Sequence, residues 1–144
     1  MKPKVEILGI SDVNRKQLFF TNMVDTVMNL KMFPELTDTA QNRLDRVKAL
    51  MQYSEFNNTV IAYTDQSAAF CIFHIEEFST HAEGRVLVSI AMVSTGADDV
   101  LHALMKELRR FAKSYACDWI AISHRVAPLE YRCKYRALKR KSNE

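Results

Sequence analysis

The sequence predicts an α/β fold of the α+β kind: a mixed sheet with helices, in the order β-α-α-β-β-β-α-β-α. Three observations predict it. Residues 86–93 form an apolar run that breaks at Ser94-Thr95-Gly96, continues as an amphipathic stretch from Asp98 to about Tyr115, and closes on Trp119-Ile120-Ala121-Ile122. Strand, crossover helix and strand imply a parallel pair with the helix packed over it. Upstream lie two short runs, 59–63 and 68–75, separated by the turn signal Asp65-Gln66. Ahead of those are two stretches with apolar residues at helical spacing.

In chain order, residues 5–10 read as a first strand ended by Ser11-Asp12. From Asn14 to about Met32, Phe19, Met23, Val27 and Leu30 recur on one helical face, widened by Phe20, Val24 and Met28. Pro34 stops this helix, and Thr37 is the expected N-cap of the next, with Ala40, Leu44, Val47 and Met51 as its inner stripe. The run 68–75 is apolar at Phe70, Ile72, Phe73 and Ile75, on both faces, which marks a central strand covered on both sides. Ser79 to Gly84 is a polar turn into Val86. On the crossover helix Leu101, Leu104, Met105, Leu108, Phe111, Ala112 and Tyr115 make the apolar stripe, with Lys106, Arg109, Arg110 and Lys113 opposite. A last helix is expected from about Val126, with Pro128 in its first turn and Ala127, Tyr131, Tyr135 and Leu138 inward.

At 144 residues, 48% hydrophobic and 26% charged, the chain suits a single globular domain, with no repeats and no linker. No apolar run approaches the ~20 residues that span a bilayer, and Met1-Lys2-Pro3-Lys4 is not the start of a signal peptide, so a cytosolic protein is expected. Cys71, Cys117 and Cys133 are widely spaced and read as reduced thiols; no metal-ligand spacing is present, so no metal site is expected. The net charge of +3 comes from the C-terminus, where Arg125, Arg132, Lys134, Arg136, Lys139, Arg140 and Lys141 face only Glu130 and Glu144. Such a tail serves either as a solvated face or as a contact for nucleic acid or an acidic protein surface.

The element order, and the run Ala103-Leu104-Met105-Lys106-Glu107-Leu108 with Phe111-Ala112, resembles the GNAT superfamily of acyl-CoA N-acyltransferases, which carries an Ala-Leu-Leu-x-x-Leu run on this helix. His124, Ala127 and Tyr131 fall at the spacing of that family's Asn-x-x-Ala-x-x-x-Tyr segment. The resemblance implies acetyl-CoA as cofactor and Tyr131 as the acid that protonates the leaving thiolate. A base is also required, and Glu76, at the end of the central strand, is the candidate, with Glu77 and His74 beside it.

The family's pyrophosphate motif is Arg or Gln, two residues, Gly, one residue, then Gly or Ala. Anchored on Ala103-Leu104-Met105, it falls on residues 96–101, so that Met92, Val93, Gly96, Ala97, Asp98 and Asp99 occupy the cofactor position. Asp99 and Leu101 stand where glycines let the backbone approach phosphate. Two carboxylates within ~5 Å of a diphosphate repel it by about 1 kcal/mol per charge pair even in high dielectric. Thr95, Asp98 and Asp99 read instead as helix caps.

The family's C-terminal β-hairpin is also missing from this reading, which leaves Trp119, Ile120, Ala121 and Ile122 as an open edge suited to pairing with another chain or copy, beside Arg136, Lys139, Arg140 and Lys141. The expected function is therefore that of a non-catalytic structural or interaction protein. By its degraded cofactor loop it is similar to small bacteriophage proteins, some of them carried in the virion, whose compartment would be host cytoplasm or virion. The alternatives are an active N-acetyltransferase and a nucleic-acid-binding accessory protein acting through the tail.

Overall fold

A computed structural model describes residues 2–79, 82–96, 98–127 and 129–138. The elements are β1 (Lys4–Leu8), α1 (Val13–Asn29), α2 (Ala40–Ser54), β2 (Asn58–Tyr63), β3 (Ala68–Glu76), β4 (Val86–Ser94), α3 (Asp98–Ser114), β5 (Trp119–Ala127) and β6 (Glu130–Ala137). The six strands form one sheet in the order β1-β2-β3-β4-β5-β6, antiparallel throughout except for the parallel pair β4–β5.

Strand alternation divides the core into two layers. Val60, Ala62, Cys71, Phe73 and Leu87 face α3, where Val100, Leu104, Leu108 and Ala112 meet them. Ile61, Phe70 and Ile72 face the other way, against Phe20, Met23, Val24 and Met28 of α1 and Val47 of α2. β3 is covered on both faces as expected, with residues 69–73 no more than 1% exposed.

The helical pair is fastened by polar groups. Thr39, not Thr37, caps α2, its hydroxyl accepting from the Asn42 N–H at 3.0 Å. Arg43 then bridges both helices and their loop, donating to Asp38 through Nε and Nη2 (both 2.7 Å), to Asp25 (3.2 Å) and to Asn29 (2.9 Å). Leu30 and Leu44, expected inside, are exposed; for Leu30 the reason is that α1 ends at Asn29 and the chain turns at Lys31, where φ is 53°.

The C-terminus departs from expectation. The helix expected from Val126 does not form over residues 126–127 and 129–138: β5 continues to Ala127, and after a turn at Leu129 (φ 60°) β6 returns antiparallel to it along its whole length. The sheet therefore does end in a hairpin. Trp119, Ile120, Ala121 and Ile122 are not an open edge, since each pairs with a β6 residue, from Ala137 opposite Trp119 to Lys134 opposite Ile122. The edge strands are β1 and β6.

Gly84 is required where it stands. Its φ is +97°, and a Cβ there would fall 2.2 Å from Asp118 Oδ2, the atom that accepts from the Arg85 N–H at 3.0 Å. This contact ties the entry of β4 to the entry of β5, the end at which the two strands pair.

Candidate functional site

The parallel pair is short. β4 and β5 are in register only over Val86–Trp119, Leu87–Ile120 and Val88–Ala121. Beyond that point, among the described residues, one long contact joins them, the Ser123 N–H donating to Ser89 Oγ at 3.4 Å. The strands then part. The separation coincides with a β-bulge: β3 pairs Ile72 with Ala91 and Phe73 with Ser89, so Ile90 is an extra residue on β4. A bulge bends its strand and increases the local twist, which turns β4 away from β5.

Between the parted strands and the helical pair lies a groove of about 600 Å³. Ser89 to Val93 form its floor, Met23, Val27 and Met28 of α1 one wall, and Ala49 and Leu50 of α2 another. Ser123, Leu129 and Tyr131 close it from the β5–β6 side. Most of the lining is apolar. Arg46 also borders the groove, half-buried, and among the described residues it has no ion pair.

The residues singled out in the sequence are distributed unevenly around this feature. Met92, Val93 and Tyr131 line it, and Tyr131 is 61% exposed at its mouth. Glu76 does not: it lies opposite Val86, at the closed end of the β4–β5 pair, with its carboxylate 3.0 Å from His74 Nε2. Tyr131 and Glu76 are thus at different ends of β4, and no acid–base pair is assembled from them. Trp119, Ile120, Ala121 and Ile122 are held within the sheet; the Trp119 indole donates to the Glu83 carbonyl at 2.8 Å. Arg136 is exposed on β6. Ala97, Lys139, Arg140 and Lys141 lie outside the described residues.

The turn into α3 is built against an anion. Gly96 adopts φ +100°, Asp98 and Asp99 open the helix, and Asp99 Oδ1 accepts from the Val100 N–H at 2.8 Å. A coenzyme diphosphate would need such first-turn donors free and would meet two carboxylates instead. The residues present do not fit it. Thr95 is not a cap: its hydroxyl accepts from the Ala68 N–H at 3.0 Å and its own N–H donates to the Ala68 carbonyl, pinning the end of β4 to the start of β3.

The thiols offer no nucleophile in the core. Burial pushes Cys71 up to about 12 and also raises Cys117, an effect the nearby Arg85 charge partly offsets. Cys133 is exposed on β6. Among the described residues no three His, Cys, Asp or Glu side chains converge as metal ligands, and no helix is long and apolar enough to cross a membrane.

No family model matches the chain, and no curated protein does.

The groove and the bulge that opens it were missed in the sequence. The run 86–93 is apolar except for Ser89 and shows no alternation, so nothing in its periodicity marks Ile90 as the extra residue.

Proposed function

We propose that the protein is a non-catalytic binding component, built on an acyltransferase-like frame, that holds an extended segment of a partner protein in the groove. One observation carries this reading: β4 runs on from Ser89 to Ser94 past its last β5 partner, along the floor of an apolar groove. A strand edge inside a groove suits β-strand addition, in which main-chain hydrogen bonds provide affinity and side-chain pockets provide selectivity. The carboxylates at the start of α3 disfavour a diphosphate ligand at the end of the same strand.

The second reading is an N-acyltransferase with Tyr131 as acid. It is favoured by the position of Tyr131 on the same groove as Met92 and Val93.

A calorimetric titration separates the two. The binding reading expects no acetyl-CoA affinity tighter than about millimolar, equivalent to ~4 kcal/mol. It also expects peptides selected from a random ten-residue library to slow amide exchange at residues 89–93, and Ala49→Trp, which fills the groove, to abolish that protection. Micromolar acetyl-CoA binding by the unaltered chain would overturn it and promote the enzyme. Acetyl-CoA binding that emerges only in Asp98→Gly, Asp99→Gly would support it.

A further inference from the structure

The outermost strand carries a ladder of cations that neither reading of the groove uses. Arg132, Lys134 and Arg136 alternate along β6, and all three are exposed. Their register partners on β5 are His124, Ile122 and Ile120. Residues facing one another on antiparallel strands share a face of the sheet. The three cations therefore lie on the α3 side, where Ile120 and Ile122 are buried with Leu104 and Leu108. Alternate strand residues are about 6.8 Å apart, so the charged row is about 14 Å long. Among the described residues none of the three has an ion pair, and the only acid of the strand, Glu130, is at the turn.

A row of like charges with this regular spacing complements a polyanion whose charges also recur along a line. Its width decides which polyanion. Ile120 and Ile122 of β5, beside Arg136 and Lys134, are buried under α3, so the accessible track there is one strand wide. A two-stranded ribbon entering a duplex major groove would need the faces of both strands free. Tyr131 and Tyr135 project from the opposite face of β6, which leaves the cation face to contact phosphate without stacking bases. We propose that the cation face of β6 is a sequence-independent track for the sugar–phosphate backbone of single-stranded nucleic acid.

The test is fluorescence anisotropy of a labelled thymidine oligonucleotide with the full chain, from 50 to 200 mM salt. Three phosphate contacts on a single strand give a log–log slope of about −2, a roughly twenty-fold loss of affinity over that range. Arg132→Gln, Lys134→Gln and Arg136→Gln should each reduce the slope by about 0.7, and the triple variant, checked as folded by circular dichroism, should abolish it. Removing residues 139–144 should leave the slope in place. The proposal is overturned if the oligonucleotide does not bind at 50 mM salt, if the single variants keep the full slope, if truncating the tail alone removes it, or if a duplex of the same length binds at least as tightly.

Discussion

Ser123 and Ser89 form the last described link between the two parallel strands: the Ser123 N–H reaches Ser89 Oγ at 3.4 Å, one residue beyond Val88 and two beyond Ala121, the final backbone pair. The next residue of β4, Ile90, is the bulge residue that β3 leaves unpaired. The contact therefore marks the point where the parallel pairing stops and the groove begins.

Ser89→Ala should therefore loosen the mouth of the opening without unfolding the protein. At 3.4 Å the bond is long, and its loss should cost under about 1 kcal/mol in urea unfolding. The Ser123 amide should exchange markedly faster while the amide of Leu87 is unchanged. Equal protection at Ser123 in both proteins would show that another acceptor holds the strands at this point.

Thr59 is fully buried in β2, and among the described residues its hydroxyl has no hydrogen-bond partner. Burying a hydroxyl unpaired costs about 1–3 kcal/mol, so the near-isosteric Thr59→Val should raise stability by about 1 kcal/mol. Chemical denaturation measures this directly; a loss of stability would mean that the hydroxyl is satisfied in solution, by water.

Gly84→Ala combines a left-handed backbone with a clash at the Asp118 carboxylate. The conformational term alone is about 1–2 kcal/mol. If the clash also pushes Asp118 off the Arg85 N–H, the entries of β4 and β5 separate, and the thermal midpoint should fall by several degrees. Asp118→Ala in the Gly84→Ala background should recover only the clash and leave the backbone cost.

Lys16 is 2% exposed, and its ammonium donates to the Ser54 carbonyl at the end of α2 at 3.0 Å. Burial holds its pKa below the ordinary 10.5, and Asp12 opposes that shift. Between the lowered folded value and 10.5 the unfolded chain binds the extra proton, so this group adds stability as pH rises through that window. Below it, the penalty of burying the charge is complete. Lys16→Met should flatten the alkaline rise in stability relative to the unaltered protein, measured by urea unfolding at successive pH values. Parallel curves would show that Lys16 stays solvated.

The candidate site was half legible. Met92 and Val93, singled out on an apolar run, and Tyr131, singled out by its spacing, line the same groove. Glu76 was separated from them by the antiparallel course of β3, which carries its C-terminal end to the closed end of the β4–β5 pair. The α2 wall, with Ala49 and Leu50, has no chemical signature in one dimension, because its meaning arises only opposite β4.

Local periodicity was enough for the three helices, for the central strand apolar on both faces, and for the parallel pair around α3. In the helices the repeat of apolar residues matches only the helical period; the strands are short apolar runs bounded by turn signals, so their length and flanks decide. The C-terminal segment is different. Ala127, Tyr131, Tyr135 and Leu138 recur at helical spacing, while Tyr131, Cys133 and Tyr135 alternate with Arg132, Lys134 and Arg136 as in a strand. Both periods are present, so the chain alone does not choose. The choice is made by β5, whose far edge would otherwise leave a row of unpaired N–H and C=O groups beside buried Ile120 and Ile122. A second strand satisfies those groups and a helix would not, so the contacts of the sheet, formed between residues distant in sequence, set the local structure.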